Sequence, residues 1–340
     1  MNRAVRWGVL GTANIAVERT IPALAQASGA ECIAIASRDL ARAQAVAEQF
    51  GVPRAYGTYA ELLSNPDVDC VYIPLPNQLH VEWAGQALRA GKAVLCEKPL
   101  CLTADDVRKL IRCRDETVGL IEEALVFRSH PQWGFIADQL NAGSIGVPLA
   151  VQGTIAKQFL DPQDIRNQPG LGGGATYDLG VYVIAACNAV FRRAPTRVSA
   201  VMDLDRVFKV DRLVTATLDY GDAQASFVVS SQGGTSAWAT HQHFSVLGSE
   251  GWMRADFPYA QARPAGCSVT IGDSSSVANF PTSTKIFEPV NQYRLQVERF
   301  SALFRQEPAP HWPIEDALLT LRIIEALFQS ARESRIIELD

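Results

Sequence analysis

No two cysteines in this sequence are spaced as C-x-x-C, and the seven present (Cys32, Cys70, Cys96, Cys101, Cys113, Cys187, Cys267) lie mostly in apolar runs. An odd set without metal or redox spacing reads as reduced core residues, each a small hydrophobe. Histidine is as scarce. The five (His80, His130, His241, His243, His311) have no cysteine or carboxylate at a zinc-like spacing, so no metal is expected. There is no block of basic residues, and a net charge of -5 argues against a nucleic-acid partner. The longest apolar runs, at 32–36 and 181–190, are too short or too interrupted for a membrane span, and no signal-type apolar segment opens the sequence. No membrane association and a cytoplasmic address are the expectations.

What the sequence does have is length: 340 residues, 48% of them hydrophobic, exceed what one core usually organises. Two domains are expected, 1–123 and 124–340. In the first, short apolar runs at 6–10, 31–37, 70–74, 93–97 and 119–123 alternate with helical patterns at 15–27, 40–50, 59–64, 79–90 and 103–117. That alternation predicts an α/β domain with a doubly wound parallel sheet, whose ligands bind beyond the carboxyl ends of the strands. The pattern changes after residue 124. Helices at 131–141 and 177–190 are followed by alternating runs at 198–204, 212–220, 223–231, 241–247 and 251–255, read as a large, mostly antiparallel sheet. Amphipathic helices at 291–305 and 314–332 close the second domain, and only Gly172–Gly174 and Ser274–Ser276 approach low complexity.

Gly11-Thr12-Ala13-Asn14-Ile15-Ala16 follows the first strand and matches G-x-G-x-x-G with Ala in the second and third glycine places. Gly11 supplies a tight turn, Ala16 permits close packing, and the helix start offers amides to a pyrophosphate; a plain strand-to-helix turn is the alternative. About twenty residues on, the second strand ends at Ser37-Arg38, where an NAD enzyme places an acid for the ribose diol. A hydroxyl and a guanidinium suit a 2'-phosphate instead, so NADP is expected over NAD.

Asp178 and Tyr182 stand four residues apart, so on a helix they share one face. The spacing suits a proton-transferring Tyr182 with Asp178 orienting substrate. It equally suits a dipole-favoured acid near a helix start and a core tyrosine.

Tyr72-Ile73-Pro74-Leu75-Pro76-Asn77 with His80, Glu97-Lys98-Pro99, Glu123-Ala124 with Arg128, His130-Pro131-Gln132, the glycines 172–174, and Asp178-Leu179-Gly180-Val181-Tyr182 together resemble the Gfo/Idh/MocA family of sugar oxidoreductases. The resemblance spans essentially the whole sequence. It implies an N-terminal Rossmann domain and a C-terminal α/β domain with an open sheet. It further implies cofactor contacts from Pro74, Leu75, Asn77, His80 and Glu97, and a cationic Lys98 serving both cofactor and reacting hydroxyl. Gln158, Asp164 and Arg166, in the loop before the glycines, are candidates for substrate hydroxyls beside Asp178; a solvated loop is the alternative. A tyrosine at 182 resembles the branch of glucose–fructose oxidoreductase, dihydrodiol and xylose dehydrogenases and keto-sugar reductases. The expected activity is NADP-dependent hydride transfer at a sugar-like hydroxyl or carbonyl by a homodimer or homotetramer. The alternatives are a reductase of nucleotide-linked keto-sugars and a catalytically silent NADP-binding sensor.

Overall fold

Short runs of β-branched residues alternate with capped helices along the first third of the chain, and the computed structural model shows the parallel sheet that pattern predicts. It describes residues 3–234, 241–259, 266–273 and 282–339, so the serine run at 274–276 lies outside the described residues. The chain divides into two compact units, Met1–Ser129 with Asn291–Leu318, and His130–Val290 with Leu319–Asp340.

In the first unit, β1 (Val5–Leu10), β2 (Ala30–Ala36), β3 (Arg54–Tyr56), β4 (Cys70–Ile73), β5 (Ala93–Cys96) and β6 (Ile121–Glu123) pair in parallel in the order β3-β2-β1-β4-β5-β6. The order reverses between β1 and β4, which opens a ligand crevice at their carboxyl ends. The connections are α1 (Ile21–Gln26), entered through a wide π-type turn at Ala16–Thr20, then α2 (Leu40–Phe50), α3 (Tyr59–Ser64), α4 (His80–Arg89) and α5 (Ala104–Thr117). Local chemistry starts several of them. Asp39 accepts the Arg42 N–H at the head of α2, Thr58 and Glu61 form a reciprocal capping box on α3, and Thr103 caps α5.

In the second unit, α6 (Pro131–Asn141) leads to β7 (Pro148–Ala156), and α7 (Val181–Phe191) follows a second π-type turn at Thr176–Gly180. Next come β8 (Arg197–Leu204), β9 (Asp211–Asp219), β10 (Gln224–Ser230), β11 (His241–Gly248), β12 (Gly251–Asp256), β13 (Cys267–Asp273) and β14 (Thr282–Phe287). With β15 (Ile337–Glu338) they form a nine-stranded sheet, antiparallel throughout except where β7 meets β10. α7 lies against β7 at Gly153, whose missing side chain leaves room for Val183. Pro169–Phe191 is, among the described residues, the one helical stretch long and apolar enough to cross a membrane, and 78% of its most apolar window is buried inside the fold, as suits a core helix.

The closing helices are α8 (Gln292–Phe304) and α9 (Ile314–Glu333). Expected as parts of the second domain, they divide: 291–318 belongs to the first unit. The reason is burial. Val297 and Phe300 join Trp7, Val9, Ile35, Tyr72 and Leu95 in the first unit's core, and Trp7 Nε1 donates to Ser301 Oγ at 3.0 Å. Arg299 forks onto the fully buried Glu122 of β6 at 3.1 and 2.5 Å and stacks on Trp312.

Candidate active site

In the first unit the expected cofactor residues gather at the strand ends. Gly11 has φ +117°, and a Cβ there would stand 2.9 Å from Leu75 Cδ2, so the β1 turn and the β4 loop pack together only with glycine at this place. Thr12 is buried, its carbonyl accepting from Arg42 Nη2 at 2.9 Å, and Ala13, Asn14 and Ile15 lead into the first helical turn. Ala13 O receives the amides of Ala16 and Val17. At the end of β2, Ser37 is buried and its Oγ accepts the Asp39 amide, whereas Arg38 is exposed and bonded to the Tyr59 phenol. Asp39, the next residue, is engaged in capping α2. A guanidinium rather than a carboxylate is thus presented where the adenosine ribose of a dinucleotide lies, and this donor set fits a 2'-phosphate.

Pro74 and Leu75 are buried; Asn77 is half-buried and opens a short turn into α4. His80 was expected at the cofactor. It is fully buried, with Nε2 2.7 Å from Leu75 O and Nδ1 3.0 Å from Pro99 O, and burial lowers its pKa. The neutral ring thus sits between the β4 loop and the loop after β5, its one N–H donated to one of these two carbonyls. In that second loop, Tyr72 OH donates to Glu97 Oε1 at 2.6 Å, and Glu97 Oε2 accepts the Lys98 amide at 3.2 Å. Lys98 is half-buried and precedes a cis peptide to Pro99. Behind it Glu123, missed as a site residue from sequence, accepts the Leu100 amide at 2.8 Å, and burial pushes its carboxyl up.

In the second unit, Asp178 lies in the wide turn and Tyr182 in the first turn of α7. Both are partly exposed, whereas Leu179, Gly180, Val181 and the residues from Val183 to Asn188 are buried. This is the shared face that their spacing predicted. Tyr182 lies 6.2 Å, ring to ring, from buried Tyr259. Arg166 brings two expected residues together: Nε is 3.1 Å from Asp178 Oδ2, Nη1 is 3.2 Å from Asp164 Oδ1, and the guanidinium lies over Phe159. Asp178 first, and Asp164 with it, raise the guanidinium's pKa above its ordinary range. Gln158 is elsewhere in that loop, in a backbone bridge to Gln232.

The glycine run serves the chain itself. A Cβ on Gly173 would stand 2.6 Å from Arg166 O, and one on Gly174, where φ is +112°, 1.9 Å from Asp211 Oδ1. The contact between Asp211 and Thr176 was not legible in the sequence, because a lone acid opening a strand and a threonine after glycines carry no local signal.

The family model described as an oxidoreductase family with an NAD-binding Rossmann fold matches residues 5–121, and the Gfo/Idh/MocA C-terminal domain model matches 135–254. A D-xylose 1-dehydrogenase (NADP+) of Haloferax volcanii is 36% identical over 336 residues, 98% of this chain and 99% of that protein. A 3-ketoreductase from Actinomadura kijaniata, solved with NADP and TDP-benzene, superposes with a TM-score of 0.85 at 30% identity, covering 96% of this chain and 98% of that one. It has also been solved with a tyrosine replaced by phenylalanine and with a lysine replaced by alanine. An aldose–aldose oxidoreductase from Caulobacter crescentus, complexed with glycerol, gives a TM-score of 0.87 at 26% identity over 99% of this chain and 100% of that one. Glycine-dependent turn, strand-end guanidinium and partly exposed Asp–Tyr pair thus occur in a chain whose two halves both match, and the chain belongs to the Gfo/Idh/MocA family of oxidoreductases.

Proposed function

We propose that this protein is an NADP-dependent oxidoreductase that interconverts a hydroxyl and a carbonyl on a free, sugar-like substrate. The observation that carries this reading is the pairing of Asp178 and Tyr182 as the two partly exposed positions of the stretch 178–188, whose other residues are buried. Bound NADP supplies the hydride acceptor or donor, C4 of its nicotinamide ring. Gly11, Thr12, Ala13, Asn14 and Ile15 hold the pyrophosphate, Ser37 and Arg38 the 2'-phosphate, and Pro74, Leu75 and Asn77 line the nicotinamide end. His80 and Glu97 hold the two loops that carry these contacts.

Tyr182 takes the hydroxyl proton in oxidation and returns it in reduction. A phenol titrates near about 10 in water, so as a base it needs positive charge close by. We assign the part of that cation, and the steadying of the developing oxyanion, to Lys98. Asp178 orients the substrate hydroxyls, with Asp164, Arg166 and Gln158 in the same loop region. The tyrosine and lysine replacements made in the 3-ketoreductase support this assignment of roles.

Nucleotide-linked keto-sugars are the second reading, favoured by a reductase of a dTDP-linked keto-sugar from Actinomadura kijaniata, 35% identical over 97% of this chain. The cation of the 158–178 region, Arg166, is already paired with two carboxylates. That favours an uncharged carbohydrate over a diphosphate. We further place the protein in the cytoplasm as a homodimer or homotetramer, joined through the sheet face on which Val228, Leu247 and Ile286 stand exposed. The test is NADP reduction across free aldoses and dihydrodiols, set against NADPH oxidation with a dTDP-linked keto-sugar. Tyr182→Phe and Lys98→Ala should each lower kcat by about a hundredfold or more. Turnover within about threefold of wild type in both variants, far short of acid–base loss, would overturn the assignment.

A further inference from the structure

The wide turn that carries Asp178 has no cap of its own. Ala175, at its N-terminal boundary, is helical in dihedral angles and makes no side-chain cap. Left so, the first amides of a buried helix would be unsatisfied. The missing acceptor comes from 35 residues away: Asp211, the first residue of β9 and 3% exposed, accepts the Thr176 amide and the Thr176 hydroxyl on Oδ2, both at 2.7 Å. Gly174 is there for the same contact, since any Cβ at that place would collide with Asp211 Oδ1.

We infer that Asp211 is a positioning residue for proton transfer: by holding Thr176 it keeps the wide turn that presents Asp178 together with Tyr182. This rests on the role given to Tyr182 above. A π-type turn is an extra residue accommodated in a helix and is less well bonded than the regular form. Without its anchor the segment relaxes toward regular α-helix, and each residue of register lost rotates Asp178 about 100° around the axis relative to Tyr182. The anchor is also ionisable. Burial, partly offset by the Thr176 hydroxyl and amide, pushes the Asp211 carboxyl up to about 6. The groups facing it are Thr176, the Ala175 amide and the Tyr177 phenol, which Asp211 in turn helps to raise. The doubly accepting anionic form therefore predominates only above that pH.

The experiment compares Asp211→Ala, Asp211→Asn and Tyr182→Phe, using the carbohydrate that the wild-type protein turns over fastest, at saturating NADP(H) from pH 5 to 8. Asp211→Ala should lose about tenfold or more in kcat with the Kd for NADP unchanged, because the nucleotide contacts belong to the other unit. Asp211→Asn, neutral at every pH as the protonated acid is, should show from pH 5 to 8 the lowered, pH-independent kcat expected of the wild type below its limb near pH 6, again with the Kd for NADP unchanged. Should Asp211→Ala not fold, the pH profile of Asp211→Asn decides alone. An unchanged limb in Asp211→Asn, or wild-type kcat in folded Asp211→Ala beside an inactive Tyr182→Phe, overturns the role of Asp211 only. An active Tyr182→Phe overturns the reading of Tyr182 itself.

Discussion

In the proposed function the choice of cofactor falls to Arg38. It stands exposed just past the end of β2, next to the buried Ser37 hydroxyl and with Asp39 engaged in capping α2. A charge-assisted hydrogen bond contributes about 1.5–3 kcal/mol, hence Arg38→Ala should raise KM for NADP about ten- to hundredfold while hardly moving KM for NAD. Initial rates with each dinucleotide check this; an equal rise for both would locate the 2'-phosphate elsewhere. This much was legible in the sequence, because a strand end fixes where its next two residues point. The role of His80 was not. It occupies the first position of α4, and a motif states neither which way a ring turns there nor that two carbonyl oxygens from separate loops await it.

At the scale of elements, periodicity located α2, α3 and α6 to the residue and the central parallel strands to within two. It passed over β3, three residues long, the outer strands β13, β14 and β15, and β7, where Gly153 interrupts the alternation so that Val183 of α7 can approach. It also read the segments around α1 and α7 as continuous helices, since a wide turn preserves the apolar pattern while changing the bonding. Where α8 docks was beyond reach, because an amphipathic face does not name its partner. Its attachment is testable through Glu122 and Arg299, 0% and 7% exposed at their side chains. Glu122→Gln leaves a buried cation without its counter-charge and should cost about 3–5 kcal/mol in urea unfolding. The double variant Glu122→Leu/Arg299→Met, which removes both charges, should recover most of that loss. A double variant no more stable than the single would show that the pair is not what holds the helix.

Over the molecule as a whole, two buried groups of the second unit give opposite responses to acid. His130 caps α6 through Nδ1, and burial lowers it to about 4, so its contribution is present above the unfolded value and fades as pH falls toward 4. Asp211, raised to about 6, does the reverse: its contribution is full below the unfolded carboxylate value and fades as pH rises through 6. The two shifts are of similar size and opposite sign, so between pH 4 and 6 they largely cancel. Relative to wild type, His130→Asn should therefore gain stability as pH falls across this window, and Asp211→Asn should lose it. Urea midpoints at half-unit pH steps read both slopes; two variants that keep the wild-type slope would remove the account.

The sequence by itself determined the doubly wound sheet, the order in which motifs meet its strand ends, the preference for NADP and the common face of Asp178 and Tyr182. All of these follow from chain-local rules: a strand's period, a helix's turn, the residues just past a strand. Only the tertiary structure decided that 291–318 returns to the first unit, that His80 joins two loops, that Arg166 is held by Asp164 and Asp178, and that Asp211 caps the turn under Tyr182. Each of those is a partnership satisfied from elsewhere in the chain, in two of them across 35 residues or more, and a buried polar group takes whichever partner the packing brings to it, not the one nearest in sequence.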